Sequence, residues 1–357
     1  MQTAQIQPLV SQHRAHPRPA VGPKRHLETQ DILGFDVVNA GMAETVYWIA
    51  DRAQSRTPTQ IAFLNAHCAN IARKDWQYRD TLETVDALLP DGSGVSLAAK
   101  LDGKALGDNL NGTDLFGPLC RCLAFRKIPV FFLGGAPGVA DDAAKNAVDD
   151  CPNLNVAGTQ HGYFSPREEN DIIDKINASG ARVVFVAFGV PSQDVWLARV
   201  RHRLHAPVVL GVGGLLDFVS GRIPRAPEWM RKSGTEWLYR LKCEPRRMWQ
   251  RYLVGNLTFT LNAAKYAFSR RQRDLVRSVD RAAARLMDIS ASFAGLLCLS
   301  PLLIGTALAV RLESKGPALY RQIRIGEAGA PIENYKFRSK RIDGPSQAAL
   351  SQDRKLV

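Results

Sequence analysis

Short apolar runs that stop at a glycine, a proline or a single polar side chain punctuate the first two thirds of the chain. Gln60–Leu64 runs into Asn65-Ala66-His67, and the run through Leu88 and Leu89 reaches Pro90-Asp91-Gly92-Ser93-Gly94. Pro129–Leu133 leads into Gly134–Gly138, Val183–Phe188 into Gly189-Val190-Pro191-Ser192-Gln193, and Val208–Val212 into Gly213-Gly214. Between them lie segments with helical spacing: 43–53, where Val46, Ile49 and Ala50 share a face, and 69–76. Continuous apolar strands alternating with helices predict a mostly parallel sheet covered on both faces, a Rossmann-like α/β fold. Ligands bind such sheets beyond the carboxyl ends of the strands. Asn65, Asp91, Gly134–Gly138, Gln193 and Gly213–Asp217 are therefore expected along one sheet edge.

The pattern also divides the chain. Residues 1–30 are polar and proline-bearing, without the apolar core of a signal peptide, and read as a disordered tail. The α/β domain is expected over 31–221, a basic helical appendage over 222–256, a basic linker over 257–277 and a membrane-associated helical tail over 278–357. Residues 222–281 hold fifteen Lys or Arg against five acids. Arg240, Arg246, Arg247 and Arg251 stand there among Trp237, Tyr239, Trp249 and Tyr252, a mixture suited to phosphate or a bilayer interface, or to a solvated helix face. Ile289–Val310 is a run of 22 residues without a charge, long enough to cross a bilayer core. Pro301 is expected to break it after Ser300, so that the run either dips in and returns or spans with a kink.

The formal net charge of +13 favours polyanionic partners such as anionic lipid or phosphorylated substrates. Six cysteines lack metal-ligand spacing and read as reduced, mostly buried thiols; no HExxH pattern is present, so no metal and no cofactor are called for. Gly134–Gly138 and Gly211–Gly214 fit neither GxGxxG nor a P-loop, and serve equally as tight turns or as a diphosphate cradle. Asp91, on a turn made rigid by proline and glycine, is either a helix cap or a general base.

Taken in order, these stretches resemble one family. Asn65-Ala66, Pro90–Gly94, Gly112-Thr113-Asp114-Leu115, Phe132–Gly135, His161–Phe164, Gly189–Gln193, Gly211–Gly214, Arg225-Ala226-Pro227, Glu236–Leu241 and Glu244–Arg247 are similar to motifs of the WecG/TagA/CpsF glycosyltransferases. The resemblance covers roughly 60–255. It implies inverting, metal-independent transfer from a UDP-sugar, of N-acetylmannosamine or a relative, to a polyprenyl-diphosphate-linked sugar. It places the enzyme at the cytoplasmic face of the bacterial inner membrane, peripherally or through a re-entrant anchor, with membrane lipid as a partner, and leaves room for a homo-oligomer. Asp91 matches the base, Asn65 lies beside it, and Gln193 is a site residue. Gly134, Gly135, Gly213 and Gly214, with Thr113 and Asn109, are expected to bind substrate, and the appendage arginines match those that contact the diphosphate. Asn109 stands where family members commonly carry an arginine.

From about Ser278 to Ser339 the chain resembles a second family, the membrane sugar-phosphate transferases that initiate polysaccharide synthesis. The matching stretches are Arg285–Ile289, Ser300-Pro301-Leu302, Ser314–Gln322, Arg324–Gly326 and Tyr335–Ser339. The family's Asp-Glu nucleophile pair has no counterpart after Ser339. The segment is thus expected to supply the membrane-entry half without the chemistry. Two alternatives accompany the transferase reading: a truncated bifunctional transferase, and a non-catalytic membrane scaffold for polysaccharide assembly. A nucleic-acid binder would need its basic residues on a surface apart from these motifs.

Overall fold

The computed structural model describes residues 26–232, 234–313, 315–325 and 331–338, without the side chains of 231, 232 and 247. The tail expected over 1–30 lies mostly outside these residues. The chain divides into two units, Met1–Arg270 and Arg271–Val357.

In the first unit the apolar runs become strands because each can be buried on both sides. The strands are β1 Thr29–Ile32, β2 Phe35–Val38, β3 Thr59–Leu64, β4 Ala87–Pro90, β5 Val130–Gly134, β6 Val156–Gln160, β7 Val183–Ala187 and β8 Val208–Gly211. They form one sheet in the order β1-β2-β4-β3-β8-β7-β5-β6. The β1–β2 pair is antiparallel and all other pairs are parallel. Every residue of β3, β4, β5, β7 and β8 is buried. Alternate residues of a strand face opposite sides. Ile61, Phe132 and Phe185 accordingly pack with helices Met42–Gln54 and Gly112–Phe125. Ala62 and Leu64 meet Tyr78, Leu82 and Val95 on the other side, where Phe131 and Val184 meet Ile173 and Leu197. The expected doubly covered, mostly parallel sheet is present.

Several boundaries differ from the sequence reading. The single helix expected over 69–76 is two, Ala66–Ala72 and Trp76–Thr84. The break falls at Asp75, whose carboxylate accepts from Tyr78 N and caps the second helix. The β1–β2 hairpin and β6 carried no continuous apolar run. β6 reads VAGTQ at a sheet edge and is only partly buried. The thiols also differ: Cys68 and Cys120 are buried, whereas Cys243 and Cys298 are exposed.

The segment expected as a linker over 257–277 begins as part of the core. Helix Gly255–Glu313 buries Phe259, Ala263 and Ala267, and Phe259 packs with Leu64, Val95 and Ala98. Burying one such phenylalanine contributes about 1.5–3 kcal/mol. Charge completes the attachment. Arg270 donates to Asp31 at 3.0 Å and to Asp102 at 3.3 Å, and Lys104 reaches Asp102 at 2.7 Å. The division between the two units falls inside this helix.

In the second unit the helix continues through Pro301, which corrects the expected break. A mid-helix proline removes one hydrogen bond, but Leu and Ala, both strong helix formers, crowd the flanking turns. The helix from Gln250 to Glu313 is long and apolar enough to cross a membrane, and its most apolar window is unburied. Strands β9 Leu319–Ile325 and β10 Pro331–Phe337 then pair as an antiparallel hairpin.

Candidate active site

Because β3, β4, β8, β7 and β5 run parallel, their carboxyl ends open onto one cleft of about 1710 Å3. Asn65 follows β3 and Asp91 follows β4. The Asn65 side chain caps helix Ala66–Ala72, with Oδ1 accepting from His67 N and Cys68 N, each at 3.0 Å. Its Nδ2 is thereby turned outward and donates to Asp91 Oδ2 at 2.9 Å. The Asp91 backbone is held too, its N–H donating to Leu64 O at 2.8 Å. Gly92 follows with φ +89°, a left-handed conformation that suits glycine, and its N–H donates to Asn109 Oδ1 at 2.7 Å. Asn109 thus ties down the turn that carries Asp91.

Burial pushes the Asp91 carboxyl above the usual carboxylate range. The Asn65 hydrogen bond, Arg251 and Arg240 pull against that rise, and Asp114 adds to it. A part-buried carboxylate with one amide donor and nearby guanidinium groups is equipped to accept a proton. His67, on the cleft wall, is held neutral: burial and then Arg251 push it down to about 4.

The arginines come from the appendage. Arg240 lies on helix Glu236–Cys243, its guanidinium 5.1 Å from the Phe218 ring centroid. A Cβ on Gly214 would stand 3.1 Å from Arg240 Nη2, so the glycine makes room for this side chain. Arg251 lies on a π-helical turn, Gln250–Val254, against the Tyr252 ring at 5.6 Å. Both arginines line the cleft. Arg246 is exposed and does not line it, and the Arg247 side chain lies outside the described residues.

Two motifs place this appendage. Arg225, of the Arg-Ala-Pro motif, donates to Asp114, of the Gly-Thr-Asp motif, and Ala226 is buried behind it. Asn70 Nδ2 donates to Gly255 O at 2.8 Å, and Ser93 Oγ to Gly234 O at 3.3 Å. Thr113 lines the cleft with its hydroxyl on Asn111 Oδ1 at 2.8 Å.

On the β8 side, Gln193 is 2% exposed and its Oε1 accepts from Gly213 N at 2.8 Å. Gly135, Gly213 and Gly214 line the cleft. Gly134 does not. It ends β5 at φ +137°, and a Cβ there would lie 2.4 Å from Ala187 O, so close strand packing accounts for this glycine. The sequence reading missed His67, Asn111, the Arg225–Asp114 link, and Asn256, Phe259 and Thr260, which complete the cleft wall. His67 and Asn111 adjoin the Asn65-Ala66 and Gly112–Leu115 motifs, and Arg225 and Asp114 lie within two of them. Nothing in the local pattern pointed to the last, because Asn256 closes the basic appendage and Phe259 and Thr260 lie in a segment that reads as linker.

The chain is similar to known proteins. The model of the glycosyl transferase WecG/TagA/CpsF family matches residues 30–273, and that of the bacterial sugar transferases matches 279–357. An N-acetylglucosaminyldiphosphoundecaprenol N-acetyl-beta-D-mannosaminyltransferase of Bacillus spizizenii is 37% identical over 182 residues, 51% of this chain and 70% of that protein. A protein of the same description from Bacillus subtilis is 30% identical over 228 residues, 64% of this chain and 88% of the relative. With a carboxylate at the β4 end, arginines in the same cleft and this extent of similarity, the chain belongs to the WecG/TagA/CpsF family of glycosyltransferases.

Proposed function

We propose that the chain transfers a sugar, N-acetylmannosamine or a related hexose or uronic acid, from a UDP-sugar to a polyprenyl-diphosphate-linked sugar in bacterial envelope or exopolysaccharide synthesis. The observation that carries this reading is one cleft holding the Asn65–Asp91 pair together with Arg240 and Arg251, both of which act on Asp91. Asp91 takes the proton of the acceptor hydroxyl as its oxygen bonds to the anomeric carbon. The bond from that carbon to UDP breaks on the opposite face, so configuration inverts. The departing diphosphate gains negative charge, which Arg240 and Arg251 offset as preorganised cations. Arg246 and Arg247 belong to the same basic appendage and add to its positive charge.

The glycine turns at Gly135, Gly213 and Gly214 let a diphosphate approach backbone closely, and Gln193 braces the last of them. Both relatives are named for a polyprenyl-diphosphate sugar acceptor. A lipid-linked acceptor fits a chain whose helix is long and apolar enough to cross a bilayer, and the basic residues beside that run support work at the cytoplasmic face.

The test is incubation of the purified protein with a panel of UDP-sugars and a short polyprenyl-diphosphate-GlcNAc, with and without chelator. A product heavier by one sugar, formed equally in chelator, is expected. No product with any donor would overturn the reading.

A further inference from the structure

Behind Gln193 lies an acid that the transfer chemistry does not use. Asp194, the next residue on helix Ser192–Val200, is 1% exposed. Its Oδ2 accepts from the Tyr78 hydroxyl at 3.0 Å, and Tyr78, on helix Trp76–Thr84, is itself fully buried. Asp194 Oδ1 is buried without a hydrogen-bond partner. The third participant is Gly211 at the end of β8. A Cβ there would lie 2.4 Å from Asp194 Oδ1 and 3.0 Å from Gln193 Nε2, so the acid and the amide occupy the space a side chain would take. The other end of the same amide, Gln193 Oε1, holds Gly213 N.

We propose that the Tyr78–Asp194 pair is a positioning device for Gln193, fixing which end of its amide meets the Gly213-Gly214 turn and so the shape of that cleft wall. Tyr78 pins the carboxyl, and the carboxyl and Gly211 together leave Gln193 Nε2 one place to sit. Oε1 is then presented to Gly213. A rotated amide would face the Gly213 N–H with its own N–H groups and release the turn. The proposal rests on the reading of this cleft as the transferase site.

The device has a pH signature. Burial pushes Asp194 up to about 7, while the Tyr78 hydroxyl and Gln193 beside it hold it down. The other titratable groups facing it are the Tyr78 hydroxyl and the Cys68 thiol, on which Asp91 also acts. Both stay neutral, burial pushing the thiol to about 12 and Tyr78 upward. As pH rises through about 7, Asp194 acquires a charge that the Tyr78 hydroxyl and the Gln193 amide both favour, and the alignment of Gln193 tightens. Since the folded pKa is raised, the stability from the neutral acid is present at low pH and lost as pH rises through that value.

Two measurements on the full-length protein test this. Hydrogen exchange at the Gly213 amide reads the Gln193 contact without turnover. Protection should drop in Asp194→Ala and persist in Asp194→Asn, whose shape is retained. In parallel, kcat/KM for the UDP-sugar should fall about tenfold or more in Asp194→Ala, as displaced binding groups do. It should return close to the wild-type value in Asp194→Asn. The wild-type limb near neutral pH, a rise in kcat/KM as Asp194 ionises, should flatten in Asp194→Asn. In Tyr78→Phe it should move to higher pH, because the lost hydrogen bond stabilised the ionised acid. Unchanged Gly213 protection in Asp194→Ala, or a limb identical in all variants, would overturn the proposal. If the wild type transfers no sugar, the transferase reading fails, and the exchange data still decide the positioning role.

Discussion

Asn65 gives both ends of its amide away: Oδ1 to two helix N–H groups and Nδ2 to Asp91 at 2.9 Å. The carboxylate therefore receives a donor whose direction is set by a helix cap, a contact that stands before any substrate arrives. Asp91→Asn keeps this shape and removes the base. Turnover should fall about 10²–10⁴-fold while UDP binding, read by calorimetry, stays near wild type. Retention of most of the wild-type kcat would make Asp91 a turn residue only.

Removing the amide has two separable effects. Asn65→Ala deletes the cap of helix Ala66–Ala72, which costs about 1 kcal/mol and lowers the melting temperature. It also removes a hydrogen bond that favours the ionised form of Asp91. The acid limb of the kcat profile should therefore move to higher pH. A lower melting temperature with an unmoved limb would assign Asn65 to folding alone.

The acid limb itself carries a sign. Asp91 lies above the ordinary carboxylate range, so activity should rise with pH at a value higher than a free aspartate gives. Arg251→Ala withdraws a positive charge that holds Asp91 down, and the limb should shift further up. Arg240→Ala should act in the same direction and lower kcat/KM about tenfold or more through loss of phosphate contacts. Equal losses in stability and activity would instead mark these arginines as structural.

The membrane reading is tested by cutting the chain. Deleting the residues after Arg273, where the glycosyltransferase match ends, removes the 22-residue uncharged run. The shortened protein should leave the membrane pellet and still act on a water-soluble acceptor analogue. If it stays in the pellet, the appendage is the main anchor. Continuous helix through Pro301 favours a span over a return. An impermeant thiol reagent should then reach a cysteine at Ser314 from outside intact cells but not one at Ser278. Labelling at neither position would restore the re-entrant reading.

The five central strands were legible because burial on two faces demands unbroken apolar runs, as in β5 and β7. β6, at an edge and half solvated, left no such mark. Helix Gly112–Phe125 was masked by its own Gly117 and Pro118. Asp91, Asn65 and Gln193 stood out since each ends a strand, and a strand end is a local signal. Tyr78 and Asp194 are 116 positions apart, and an acid in a first helical turn looks like ordinary capping until the fold buries it. The role of Phe259 was hidden by its basic neighbourhood, which reads as solvated linker.

That phenylalanine sits some 165 positions beyond the β4 turn it helps to cover. Synthesis runs from the amino terminus, so the sheet and Asp91 leave the ribosome well before the segment that carries Arg240, Arg251 and Phe259. During that interval the patch of Leu64, Val95 and Ala98 lacks the cover that Phe259 adds. The nascent chain thus passes through a stage with a finished floor and no wall, apolar and sticky, for which a chaperone is the natural temporary cover. A ribosome stalled near Gly255, with the appendage still inside the exit tunnel, would hold the protein in that state, where chaperone crosslinking would detect it.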